Sequence, residues 1–458
     1  MPATIIDSIY FGNGWSTPEL RAIFDDEKKL QTWLDIESVL ARVQGELGII
    51  PLEAAKEISL RARLDQIDIG FFKNQLAATG HALIPLIRAL EKACKNGHGE
   101  YVHFGATTQD VIDTGAVLLL REATNIFLRD ALLLEKEILA LAEQYIDLPM
   151  VGRTHGQHAM PITLGFKFAG WGAELRRSIE RLKEIPKRSF YLMMHGAVGT
   201  MAGFGPRAQE VVSGVAEKLG LNVPPICWNN ARDGFAEYLN TLGILAGTLG
   251  RVANEIISLS LTELGEVSEP ATKHTVGSST MPHKRNPALC ELTVAQSRIV
   301  HSLAQLGLAA MINSHERDPR SWRLDLYALP HASLLVGKML SAMLGVVRGL
   351  VVHEEAIARN LELSGGAIFS EAVMLRLAEK LGKQTAHQVL HELTEPGITD
   401  SRTFKQRVVE APALEQALGL ETVESLFSCS SYLGEAREEV RKVIHYCNGL
   451  ASTDPVFA

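Results

Sequence analysis

Aromatic residues make up only 6% of this 458-residue chain, and cysteine is scarcer, with five. Cys94, Cys227, Cys290, Cys429 and Cys447 stand far apart, with no CxxC pair and no metal-ligand spacing. That excludes a disulfide scaffold and a cysteine zinc site, and the sparse odd count fits a reducing, cytoplasmic location. No long block of one charge is present, and 45 basic against 53 acidic residues leave a net charge of −8. Sequence-independent nucleic-acid binding needs a strongly basic surface, so that class is set aside. The first fifteen residues lack a basic stretch and carry Asp7, so no signal peptide is expected. Residues 299–315 lack formal charge but contain His301, Gln305 and Asn313, and read as a core helix rather than a membrane span. Strand patterns are scarce, and no internal repeat or low-complexity tract is evident.

What the chain has in abundance is long helical periodicity. Val117, Leu120, Thr124, Phe127, Ala131, Leu134, Ile138, Leu141 and Tyr145 recur at steps of three and four, a coiled-coil-like stripe. Pro149 closes that rod. A second runs over 236–264, striped by Leu242, Leu245, Leu249, Val252, Ile256 and Leu259, with Gly243, Ala246, Gly247, Gly250 and Ala253 on its other faces. A helix apolar or small nearly all round is buried on several sides. Each interior Gly costs about 1 kcal/mol relative to Ala, a cost that close helix–helix approach offsets. Further long helices are expected over 161–185, 288–312 and 330–360. Shorter ones are expected over 27–47, ended by Gly48 and Pro51, and over 367–381. The expected fold is all-α. A helical N-terminal domain covers 1–112, a central long-helix bundle 113–364, and a helical C-terminal domain 365–458.

Three polar segments interrupt the helices. They are His103-Phe104-Gly105-Ala106-Thr107-Thr108-Gln109-Asp110, Gly152-Arg153-Thr154-His155-Gly156-Gln157-His158, and Gly277-Ser278-Ser279-Thr280-Met281-Pro282-His283-Lys284-Arg285-Asn286-Pro287. All are rich in hydroxyls, imidazoles and cations and poor in carboxylates, which suits an anionic ligand. Plainer readings exist: Thr107-Thr108 as a helix cap, His155 as a satisfied buried histidine. The third segment packs Lys284, Arg285, His283 and Asn286 into four positions, which a plain surface loop does not need. The His155/His158 pair has no matching third ligand, so no metal is expected. No Gly-rich phosphate loop is present, and no cofactor is expected.

GSSTMPHKRNP at 277–287 resembles the signature loop of the fumarase/aspartase superfamily, whose common core is GSSxMPxKxNP. GRTHGQHAMPITLG at 152–165 resembles its second conserved segment, and HFGATTQDVIDT at 103–114 its first. The resemblance covers essentially the whole chain. It implies an elongated helical bundle, a homotetramer with each active site built from three subunits, and anti elimination on a small polycarboxylate, with no nucleic-acid or membrane partner. By resemblance, Ser278 is the general base on the loop spanning 271–287, with neighbouring Ser279 an open alternative. Lys284 and Asn286 hold the carboxylate of the carbanion, and His155 protonates the leaving group. Thr107, Thr108 and Gln109 hold substrate carboxylates, and Thr154, Gln157, Met281, Arg317 and Arg323 complete the expected contacts. His81, in Thr79-Gly80-His81, sits where adenylosuccinate lyases carry an active-site histidine.

MPHKRNP and His315-Glu316-Arg317-Asp318 are similar to the branch holding adenylosuccinate lyase and 3-carboxy-cis,cis-muconate cycloisomerase. Two departures stand out. Gly14-Trp15-Ser16-Thr17-Pro18-Glu19-Leu20 lacks the Arg-Tyr pair of adenylosuccinate lyases. Trp322-Arg323-Leu324-Asp325-Leu326 replaces their phosphate-gripping Ser-Ser-x-x-Arg arm. The expected activity is cleavage of a succinyl compound, C–N by analogy, releasing fumarate. Lactonising cycloisomerisation is the alternative, and a non-catalytic structural homologue, as in eye lens, a remote one.

Overall fold

A computed structural model describes residues 4–271, 280–281, 283–394 and 401–456. It is 69% helical and 4% strand, so the fold is all-α as expected. Five long helices dominate: Thr108–Gln144, Leu164–Ser189, Asp233–Leu259, Ala288–Ala310 and Pro319–Arg348. The stripe from Val117 to Ile138 is buried at every position, as are all six stripe positions of the 233–259 helix.

Several boundaries differ from expectation, and the second rod, expected to reach 264, ends at Leu259. The first rod begins nine residues before Val117, at Thr108, so part of the first polar segment is helical. Residues 157–163 form a strand rather than a helix start; Pro161 pairs with Val151 in a two-stranded sheet, where a missing N–H is tolerated. The last rod begins at Pro319, not Pro330. Asp318 caps it by accepting from Arg320 N at 3.0 Å, and Pro319 supplies the preset φ of a first helical residue. That rod ends at Arg348, and Glu354–Glu362 is a separate helix.

The chain divides into two compact units. One comprises 1–130, 178–247 and 295–341, and the other 131–177, 248–294 and 342–458, so every long helix gives part of its length to each. In the first unit, Gly243 and Gly247 face Ala304 and His301 of the 288–310 helix. A Cβ at either would reach the nearest atom at 3.4 Å, and His301 Nε2 lies 3.1 Å from Gly243 O, the close approach expected there. In the second unit, Val373, Leu377, Leu390, Phe404, Val408, Leu414 and Val423 make a small core of their own.

Two helices, Asp233–Leu259 and Pro319–Arg348, are long and apolar enough to cross a membrane by length and composition. In each, 61% of the apolar window is buried inside the fold, as in core helices.

Candidate active site

The first polar segment is built from the inside out. His103 and Gly105 both have positive φ, +61° and +78°. A Cβ at Gly105 would lie 2.6 Å from Gly203 O, so only glycine fits. His103 Nδ1 lies 2.6 Å from the buried Glu37 carboxylate. Burial disfavours its charge, but Glu37 outweighs that and holds the His103 pKa above the usual value. Asp110, fully buried, accepts from Thr107 N at 2.9 Å, His195 N at 2.8 Å and Gly196 N at 3.0 Å. These bonds weld the segment to residues 195–196. Burial still pushes the Asp110 carboxyl up. His195, also buried, is held below the usual histidine range by desolvation.

The Thr107 hydroxyl accepts from Arg317 Nη1 at 3.0 Å. Arg317 Nε and Nη2 are buried and have no partner among the described residues. The turn carrying Arg317 is fixed by His315 at φ +56°, by Asn230 Nδ2 donating to His315 O at 2.5 Å, and by Asn313 Nδ2 donating to Asn230 O at 2.8 Å. Hydrogen bonds from Arg320 hold the Asp318 carboxyl well below the usual carboxylate range. Gln109 is buried. Its amide donates to Asp113 Oδ2 and to Asn229 O, both at 2.9 Å, and its carbonyl oxygen has no partner among the described residues. Both side-chain polar atoms of buried Asn229 are likewise unpaired among the described residues. Buried unpaired groups are rare in folded proteins, so each calls for an explanation.

His81 lies in the same unit. Its Nδ1 accepts from Leu83 N at 3.3 Å and Ile84 N at 3.1 Å at the start of the Ile84–Ala93 helix. Nδ1 is therefore an acceptor, and Nε2 carries the proton. Thr108 is half-buried at the helix start, and Arg323 is exposed.

The second polar segment lies in the other unit and forms a hairpin, Pro149–Thr154 paired with Gln157–Thr163. Its two-residue turn is His155-Gly156, with φ +52° and +76°. That is the conformation a tight hairpin demands, and histidine is among the residues that tolerate it. Thr154, His155 and Gln157 are all exposed at the tip. Arg153 pairs across the strands with His158 and makes a two-pronged ion pair with Glu266, at 3.0 and 2.6 Å.

Ser278 and Ser279 lie outside the described residues. Of the third segment, Thr280, Met281, Lys284 and Arg285 are exposed and Asn286 is half-buried. Lys284 N donates to Met281 O at 3.0 Å. The chain entering the loop is tied to the helix leaving it: Glu269 accepts from Cys290 N at 2.7 Å and Leu289 N at 3.2 Å. Among the described residues, no group of three or more His, Cys, Asp or Glu could hold a metal ion.

A family profile described as Lyase matches residues 14–301, and one described as adenylosuccinate lyase C-terminus matches 366–443. The chain belongs to the fumarase/aspartase superfamily of lyases. The N-acetyl-S-(2-succino)cysteine lyase of Enterococcus italicus is 42% identical over 444 residues, which cover 97% of each chain. The adenylosuccinate lyase of Pyrococcus horikoshii is 40% identical, covering 94% of this chain and 96% of its own. The crystal structure of 3-carboxy-cis,cis-muconate lactonizing enzyme from Pseudomonas putida matches with a TM-score of 0.90 at 34% identity, covering 96% and 99% of the two chains.

Several of the residues described above escape a reading of motifs alone. Asp110 carried a usable signal, since an acidic residue three positions after Thr107 is capping-box spacing. Asn229, His195 and Glu266 carried none. They are isolated polar residues whose partners lie far away in sequence.

Proposed function

We propose that this lyase cleaves a succinyl thioether, a cysteine derivative carrying the succinyl group on sulfur, into fumarate and a thiol. The observation that carries the reading is the Arg317 guanidinium, anchored to Thr107 with two buried nitrogens unpaired among the described residues. Such a cation suits a substrate carboxylate, and the thioether has several. The thioether is favoured over a nucleotide by the relative of 42% identity and by the missing phosphate arm. Asp325, in the place of that arm, turns inward to Arg232 at 2.8 Å, and Arg323 is exposed.

The succinyl carbon that loses its proton is next to one carboxylate; sulfur leaves from the neighbouring carbon. Ser278 takes the proton, and the electron pair moves into that carboxylate as an aci-carboxylate. Lys284 and Asn286 stabilise the developing charge, which is where preorganised donors count most. The pair then returns to form the double bond, the C–S bond breaks, and the sulfur leaves with its electrons. His155 supplies the proton that converts thiolate to thiol. Thr107, Thr108 and Arg317 hold the carboxylates, and His81 offers an N–H through Nε2.

The active form is a homotetramer with shared active sites, in the cytoplasm. Ile244, Ile299, Leu308 and Ile312 of the long-helix region are exposed in the single chain, Ile312 at 84%, which favours burial against other copies. Incubation with S-(2-succinyl)-N-acetylcysteine, following fumarate by absorbance and thiol by titration, tests the reading. Equal release of the two is expected. Thiol without fumarate, or neither, contradicts it.

A further inference from the structure

Each partner of the Arg153–Glu266 ion pair belongs to chain leading into a reactive segment. Arg153 stands two residues before His155. Glu266 stands in the stretch that runs toward the 271–287 loop. The Glu266 side chain is 0% exposed and that of Arg153 16%. Glu266 is fixed before it meets Arg153: its N–H donates to Leu259 O at 2.8 Å, and its carbonyl accepts from His353 N at 2.9 Å. The amide of buried Asn360 donates to Glu266 Oε1 at 2.8 Å and to Leu264 O at 2.9 Å. The hairpin is less constrained. Its register shifts between Val151 and Arg153, and its tip holds a non-glycine residue, His155, in the left-handed region. Such backbone costs of order 1–3 kcal/mol and persists only where surroundings hold it.

We propose that Arg153 and Glu266 are positioning residues: the ion pair locks the hairpin to the 264–269 backbone and so fixes where His155 is presented. The two-pronged geometry restrains both direction and distance, which a single contact would not. His158, opposite Arg153, feels the same pair. Burial and then the Arg153 charge hold its pKa below the ordinary value, and Glu266 partly offsets this. The inference rests on the reading of His155 as the proton donor.

The test has a substrate-free arm and a kinetic arm. In Glu266→Gln, amide hydrogen exchange over 152–158 is expected to speed up about tenfold, a shift in local opening of about 1.4 kcal/mol, with the 370–425 region unchanged. With the thioether, kcat should fall about 100-fold while KM stays within about threefold, the pattern of a misplaced group rather than lost binding. Arg153→Lys keeps the charge and loses the fork, so kcat should fall about tenfold; it decides the matter where Glu266→Gln does not fold. Wild-type exchange over 152–158 in folded Glu266→Gln, or unchanged kcat in either folded variant, would overturn the proposal. If the wild-type enzyme releases no fumarate from any thioether, the functional reading fails, while the exchange arm still reports on the ion pair.

Discussion

Arg317 donates to the Thr107 hydroxyl at 3.0 Å across 210 residues of sequence, while Nε and Nη2, both buried, have no partner among the described residues. A guanidinium held by one neutral acceptor is oriented without being neutralised, and it keeps its charge for a ligand. Arg317→Ala should therefore raise KM by about 10–100-fold, the worth of one charged hydrogen bond. Arg317→Lys should recover only part, because an ammonium lacks the planar fork. Steady-state kinetics with the thioether measures both. An unchanged KM in Arg317→Ala would remove Arg317 from the substrate.

The leaving group sets the demand on His155. A thiol of pKa about 8.5 departs as an anion far more readily than an amine, so the acid matters less for sulfur than for nitrogen. His155→Ala should lower kcat at least about 100-fold with the thioether, against about 10⁴-fold with any N-succinyl amine the enzyme accepts. Parallel assays of the two substrate types check this. Equal losses would mean that His155 does not act on the leaving group.

Much of this was legible beforehand. The stripe at Val117, Leu120, Thr124 and Phe127 repeats at helical spacing and needs only burial to be realised, so the rods were readable. The loop wording at 277–287 carried the family. The hairpin at 149–163 is not legible in the sequence, because Pro161 looks like a helix start and its pairing with Val151 is a tertiary fact. The Thr107–Arg317 bond and the unpaired Asn229 were invisible for a similar reason: each depends on segments brought together only by folding.

His81 separates two roles by tautomer. With Nδ1 spent on Leu83 N and Ile84 N, His81→Ala should cost about 1 kcal/mol of stability as a lost cap, and His81→Asn much less. If Nε2–H serves the substrate, both variants lose kcat, and that is the expected result. Thermal melts alongside kinetics distinguish them. A full kcat in His81→Asn would confine His81 to the cap.

Asp325 gives an unusual pH signature. Burial pushes its carboxyl up to about 6, against the pull of Arg232 and with the help of Asp113. The folded form thus binds that proton more tightly than the unfolded chain. Its contribution is greatest below about pH 4 and is lost as the pH rises through about 6. Asp325→Asn, which keeps an acceptor for Arg232, should match wild type near about pH 4 and gain stability relative to it by about pH 7, by at most about 3 kcal/mol. Denaturant unfolding at the two pH values measures this. A variant that loses stability relative to wild type as the pH rises would reverse the sign and refute the assignment.

The most direct measurement is kcat/KM for fumarate release from S-(2-succinyl)-N-acetylcysteine, beside adenylosuccinate and with 3-carboxy-cis,cis-muconate consumption followed in parallel. The thioether should exceed about 10⁴ M⁻¹s⁻¹, an ordinary enzymatic value. Adenylosuccinate should fall at least about 100-fold lower, for want of charged hydrogen bonds to its phosphate. Adenylosuccinate turned over as well as the thioether, or carboxymuconate consumed while no thioether releases fumarate, would contradict the account.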